Sequence, residues 1–215
     1  MINYGVIIGD VVKSRKLQDR SGVQKQLEAA LSTINQEFAA QVASRFLITL
    51  GDEFQGVLAQ VGSLWDVVVR LGHLMHPVDI AFGLGVGPII TEIKEVALGM
   101  DGPAFHRARD ALGEVKGRGS VAIKTGDDSL DVMLGSTMRL LWVVRSEWTE
   151  RQAETVELVQ LLGSQTKAAS KMDVSPPTVS KAIKTTHLHE LEEVEGWLRQ
   201  CLEAAGDGTW SGFKT

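Results

Sequence analysis

The chain has 215 residues, 44% of them hydrophobic and 23% charged, which is ordinary globular usage and enough for one medium domain plus a small one. A formal net charge of −5 argues against a chain that coats nucleic acid or anionic membrane with its whole surface. The single cysteine, Cys201, excludes an internal disulfide and makes a cysteine-based zinc site unexpected. The opening Met1 to Asp10 stretch lacks a basic segment ahead of an apolar one, and no apolar run approaches the ~18 residues of a membrane helix. A cytoplasmic protein without membrane insertion is therefore expected.

Tyr4 to Val12 is β-branched and apolar apart from Gly5 and Gly9-Asp10, which predicts a buried strand ending near Asp10. From Ser21, apolar Val23, Leu27, Ala30, Leu31, Ile34 and Phe38 recur at helical spacing. Phe46 to Leu50 and Phe54 to Leu58 read as two short strands around Gly51-Asp52-Glu53, a hairpin signal. Leu64 to Met75 places Leu64, Val67, Val68, Leu71, Leu74 and Met75 on one helical face, and Pro77 ends it. Val78 to Val86 alternates as a strand through Ile80, Phe82 and Leu84. The order matches the βαββαβ plan of a ferredoxin-like or palm sheet, an α/β (α+β) fold with four antiparallel strands and both helices on one face.

Gly102 to Leu112 reads as a third helix entered at Pro103, Val121 to Lys124 as a further short strand, and Leu130 to Trp148 as a helix. Residues 1–148 thus form a palm-like domain. Helical stretches at Thr149 to Leu162, Gln165 to Met172, Pro176 to Lys184 and Leu188 to Leu202 form an all-helical second domain, 149–205. Residues 206–215, rich in Gly, Asp, Thr and Ser, read as a peripheral tail.

In this topology Asp10 leaves the first strand at the sheet edge where the hairpin holds Asp52. Two ionised carboxylates stay together only with a cation between them or with one of them protonated. Oxygen donors of this type suit Mg2+, which retains waters and also binds phosphates. Asp10 and Asp52 are the candidate metal ligands. Lys13, Ser14, Arg15, Glu53, Arg107 and Arg109 are the candidate ligand or phosphate contacts, the arginines standing near a helix start. The alternatives are a solvated loop for Lys13 to Arg15, hairpin chemistry for Asp52-Glu53, and surface ion pairs with Asp101 or Asp110 for the arginines. His106 reads as a helix-surface residue. His73 and His76 lack a third ligand for zinc.

Ile8-Gly9-Asp10-Val11-Val12 resembles the metal-binding first strand of class III nucleotide cyclases, and Leu50-Gly51-Asp52-Glu53-Phe54 their hairpin aspartate and the signature of the diguanylate cyclases. The order continues with Gly83-Leu84-Gly85-Val86-Gly87 and the segment from Gly102-Pro103 to Arg109. Leu50 stands where the diguanylate signature has its first glycine. His106 and Asp110 stand where the class III helix carries an Asn and an Arg, leaving Arg107 and Arg109 as substitutes. More narrowly, Gly9 to Arg15, Gly51 to Gly56 and Gly102 to Arg109 resemble the SatD family of bacterial proteins. The cyclase resemblance implies a palm fold, Asp10 and Asp52 on metal with the Val11 carbonyl as a further donor, and a homodimer.

Gln165 to Lys184 is the sharpest local signal. Small Ala168 and Ala169 admit a second helix, Ser175 and Pro176 suit a helix start, and Val179 and Ile183 are four residues apart. Thr178, Ser180, Lys181 and Lys184 are left facing outward, as on a recognition helix, and the segment resembles the helix-turn-helix of bacterial regulators. Four lysines against Asp173 leave it at +3. DNA is the expected partner, through Ser175, Thr178, Ser180, Lys181 and Lys184, with protein contact or dimerisation as the alternative.

Three functions follow: a DNA-binding regulator whose palm binds a Mg2+–nucleotide ligand, a divergent metal-dependent nucleotidyl-transfer or cyclase-like enzyme targeted by its helix-turn-helix, and an inert palm scaffold for protein contacts.

Overall fold

The computed structural model describes residues 2–17 and 19–210, with Arg15 described by its backbone alone. In chain order they form β1 (Tyr4–Val11), α1 (Arg20–Glu37), β2 (Val42–Leu50), β3 (Glu53–Leu58), α2 (Leu64–Met75), β4 (Ile80–Gly87), α3 (Pro103–Val115) and β5 (Ser120–Lys124). Then come α4 (Asp128–Ser146), α5 (Glu150–Leu162), α6 (Gln165–Lys171), α7 (Pro176–Thr185) and α8 (Leu188–Asp207). Single 3-10 turns cover Ser14–Lys16 and Val61–Ser63. Two compact units result, Met1–Arg139 with Leu198–Thr215, and Leu140–Trp197. The division expected between 148 and 149 is displaced: the second unit begins within α4 and ends within α8.

In the first unit the sheet order is β2-β3-β1-β4-β5. Neighbours among the first four strands are antiparallel, as the βαββαβ plan requires. The fifth pairs parallel with β4, Phe82 opposite Val121. Side chains alternate across the central strand. A Cβ at Gly5 would sit 2.9 Å from Leu64 Cγ of α2. Val6 and Ile8 face the other way and pack with Val57, Ala81 and Ala122 against Ala104, Ala108 and Leu112 of α3. Thus α1 and α2 share one face, where Phe54 and Phe82 meet edge to face at 6.2 Å between centroids, and α3 covers the opposite one.

Every residue of β4 is buried, and the cause lies in its glycines. A Cβ on Gly85 would overlap the Ala104 carbonyl oxygen and the Ala108 amide, and one on Gly83 the Ala108 carbonyl oxygen and the Leu112 amide. The helix therefore lies on the strand with backbone approaching backbone, around the small Ala104 and Ala108. The strand starts at Ile80, not Val78, because the Val78 amide donates to the Met75 carbonyl and closes the turn after α2. Helix α3 runs past the expected Leu112 to buried Val115. It is followed by Gly117 at φ 81, in the region that favours glycine.

In the second unit, Thr149 and Gln152 form a reciprocal capping box at the start of α5, and left-handed Gly163 ends that helix. Val156, Ala168, Ala169, Val179, Ile183 and Leu188 are the core between α5, α6, α7 and the start of α8. Helices α6 and α7 are joined by residues 172–175, with Asp173 at φ 54. The partly buried Arg145 guanidinium pairs with buried Glu195 at 2.7 Å and lies 4.8 Å from the Trp148 ring centroid.

The expected tail is corrected over its described part. Helix α8 continues to Asp207, five residues beyond Leu202. In the first unit the Asn3 side-chain amide donates to the Ala205 and Gly206 carbonyls, and the amides of Thr209 and Trp210 donate to the Ala204 carbonyl. A Cβ on Gly206 would meet Val61 at 2.8 Å, so the glycine marks a close approach of helix to chain, not a frayed end. Arg199 pairs with Asp66 of α2 at 2.9 Å in the same unit. Residues 211–215 of that expected tail lie outside the described residues.

Candidate functional site

Asp10 is the penultimate residue of β1, and the antiparallel register sets it directly opposite Glu53, the first residue of β3. Leu50 pairs with the same Glu53, so Gly51 and Asp52 form a two-residue turn between β2 and β3, with Gly51 at φ 64. A residue free to adopt positive φ is what so short a turn demands, and it fixes Asp52 at this end of the sheet. Three carboxylates from two chain segments thus gather at the end of β1. The side chains of Asp10 and Glu53 are only 15% and 17% exposed.

Burial pushes the Asp10 carboxyl above its ordinary value; Lys116 pulls it back, and the charges of Asp52 and Glu53 push it further up. A carboxylate that is partly desolvated and faces like charges gains from any cation brought near. Two cations come from α3 and the residue that follows it. Arg109 Nη1 donates to Glu53 Oε1 at 2.7 Å, and Lys116 Nζ stands 3.6 Å from Asp10 Oδ1. They are seven residues, close to two helical turns, apart and so share a face of the helix axis. Arg109 also lines a cavity of about 500 Å³, together with Ile8, Gln55, Met100, Phe105 and Asp110, among others. Ile8 and Gln55 are each two residues from the facing pair Asp10 and Glu53, hence on the same side of the sheet.

The predicted site residues separate into groups. Asp10, Asp52, Glu53 and Arg109 are brought together. Lys13 and Ser14 follow β1 in the turn beyond Asp10. Lys13 is exposed at φ 53, and its carbonyl accepts from the Lys16 amide at 2.7 Å. The side chain of Arg15 lies outside the described residues. Arg107 does not join this cluster: its Nη1 donates to the Val86 carbonyl at 2.6 Å, and Val86 pairs with Gly5 at the far end of β1. His106 pairs with Asp101 at 2.7 Å, and that hydrogen bond, with one from the Gly102 amide, holds the Asp101 carboxyl below its ordinary value. Lys116 was not singled out from sequence; the available signal was its seven-residue spacing from Arg109.

The donor set fits a hard divalent cation, being all oxygen and short of positive charge. Among the described residues no three His, Cys, Asp or Glu side chains converge closely enough to hold an ion. Asp10 with Asp52 or Glu53 would hold a cation whose remaining positions fall to water or ligand oxygens, a sharing that magnesium tolerates. A cation held by these carboxylates would supply positive charge to a phosphate beside it.

In the second unit Ser175, Thr178, Ser180, Lys181 and Lys184 are all exposed, while Val179 and Ile183 are buried. Ser175 occupies the N-cap position of α7, but its hydroxyl shares a 2.9 Å hydrogen bond with the Thr178 hydroxyl instead of capping an amide. Lys167 and Lys171 of α6 are exposed as well.

A βαββαβ sheet with carboxylates at the end of its first strand and in its hairpin defines a palm-type α/β protein. The chain belongs to the SatD family, whose model matches residues 4–191. Among solved structures it is similar to a bacterial light-regulated adenylyl cyclase, at 13% identity over 53% of this chain and 70% of that one, with a TM-score of 0.39. It is also similar to a dimeric guanylyl cyclase domain from the aquatic fungus Blastocladiella emersonii, at 13% identity over 53% and 74%, TM-score 0.37. A regulator of polyketide synthase expression from Bifidobacterium adolescentis is similar at 17% identity over 97% and 81%, TM-score 0.27. No curated protein matches the chain in sequence. Among the described residues no helix is long and apolar enough to cross a membrane.

Proposed function

We propose that the chain is a cytoplasmic, homodimeric regulator whose palm unit binds the Mg2+ complex of a nucleotide at Asp10, Asp52 and Glu53. Its α6–α7 helix pair acts as a helix-turn-helix on DNA, and occupancy of the first site sets DNA affinity. The observation that carries the reading is the meeting of carboxylates for a cation with Arg109 and Lys116 for phosphate, Arg109 also lining a cavity of about 500 Å³. Metal and phosphate recognition need those opposite charges within one site. Support for the DNA arm is the exposure of Thr178, Ser180, Lys181 and Lys184 over buried Val179 and Ile183, with the segment from 165 to 184 at +3.

The same carboxylates suit a metal-dependent nucleotidyl-transfer or cyclase-like enzyme, and one assay separates the two. The full chain is incubated with each nucleoside triphosphate and Mg2+, and both binding and product are followed. Saturable binding without turnover supports the sensor. Turnover lost in Asp52→Ala supports the enzyme. Neither binding nor turnover leaves the palm as a scaffold and rejects the nucleotide reading.

A further inference from the structure

Arg109 and Lys116 hold the two inner carboxylates in a particular way. The acids are the enclosed partners, 15% and 17% exposed, while the Lys116 and Arg109 side chains are 56% and 53% exposed. Ion pairs with one partner this open to solvent contribute little, so exchanging them for a stronger ligand is inexpensive. Lys116 stands just past the last turn of α3 and only 3.6 Å from Asp10, a loose contact that leaves its long side chain free to turn elsewhere. The charge count points the same way. Asp10, Asp52 and Glu53 against Arg109 and Lys116 leave the cluster at −1. A divalent cation would bring it to +1, which favours an arriving phosphate and leaves both basic side chains without their carboxylates.

We infer that Arg109 and Lys116 are displaceable counter-ions: they occupy Glu53 and Asp10 until a divalent cation takes those carboxylates, and then bind the phosphates of the ligand. This rests on the metal–nucleotide reading and adds a role that reading does not require. A counter-ion that competes with the metal and then helps the anion must affect the two in opposite directions. A purely structural lysine would weaken both or neither.

The test measures two probes on the intact chain, Mn2+ alone and the magnesium complex of tripolyphosphate, by titration calorimetry. Wild type, Lys116→Met, Arg109→Met and Asp10→Asn are compared. Both replaced basic side chains are more than half exposed, so the variants are expected to fold, and their melting curves check it. Lys116→Met and Arg109→Met should each tighten Mn2+ roughly two- to fivefold, the scale of a partly exposed ion pair, and weaken magnesium tripolyphosphate by at least as much. Asp10→Asn should lose Mn2+. If wild type binds Mn2+ and the two variants bind it equally or more weakly, the counter-ion role is wrong while the metal site stands. If wild type takes up no Mn2+, both fall together.

Discussion

Among single residues, Asp10 is under competing influences: burial, the like charges of Asp52 and Glu53, and the basic partner Lys116. Its carboxyl lies above the usual 3.8, chiefly through burial and against the pull of Lys116. An acid whose folded-state pKa is raised favours folding in its protonated form. That contribution is complete below the unfolded value and is lost as pH rises through the folded one. At neutral pH the ionised Asp10 therefore works against the fold. Asp10→Asn should raise the melting temperature at neutral pH in the presence of a chelator, and the gain should shrink as the buffer is taken toward pH 4, which scanning calorimetry reads directly. A variant less stable than wild type at neutral pH would show that its pairing with Lys116 outweighs desolvation. The acids themselves were legible in the sequence, because a strand ending at Asp10 and a hairpin at Gly51-Asp52 imply a shared sheet edge. The basic partners were only half legible. Arg109 and Arg107 look alike in sequence, yet two positions along a helix are about 200° of rotation apart, and only Arg109 turns to the acids.

At the scale of elements, the closest fit is α3 on β4. Gly85→Ala puts a methyl group into the Ala104 carbonyl oxygen and must lift the helix. Its expected cost is about 3 kcal/mol, at the upper end of ordinary overpacking, or roughly 6–12 °C in melting temperature. Because Arg109 rides on the same helix and Lys116 directly follows it, the variant should also disturb the acid cluster. In the second unit, Glu195→Ala would strand Arg145, whose side chain is 14% exposed, and is expected to cost about 3 kcal/mol. Denaturant melts of the two variants check both figures. Periodicity identified each of these elements but misjudged ends set by a turn and by tertiary contact. The strand β4 starts late because Val78 serves the preceding turn. Helix α8 runs on because Gly206 packs against Val61. The contact of Gly206 with Val61, far apart in sequence, has no local signature. The glycines of β4 resemble a cyclase motif in sequence, and their physical use is to let a helix backbone lie on the strand.

For the whole molecule, the βαββαβ plan was readable because each strand and helix carries its own period and the connections are short, whereas the parallel pairing of β5 was not. A parallel strand is joined through a long crossover, so its partner is chosen by packing and not by a turn. The unit boundaries within α4 and α8 were equally hidden, since an uninterrupted helix gives no break in pattern. The proposed DNA arm is tested by fluorescence anisotropy with genomic DNA fragments over a salt series. Lys181→Ala and Lys184→Ala should each weaken binding and reduce the salt slope by about 1. Unchanged slopes would assign α7 to protein contact. The claim on which the rest depends is the acid site. Its most direct test is thermal denaturation of wild type and Asp10→Asn/Asp52→Asn with nucleoside triphosphates, with and without Mg2+. Ligand at a hundred times its dissociation constant contributes about 2.7 kcal/mol, so wild type should gain about 5 °C or more with one nucleotide only when Mg2+ is present, and the double variant should gain nothing. An equal gain in both proteins, or a gain independent of Mg2+, would contradict a metal–nucleotide site at these aspartates.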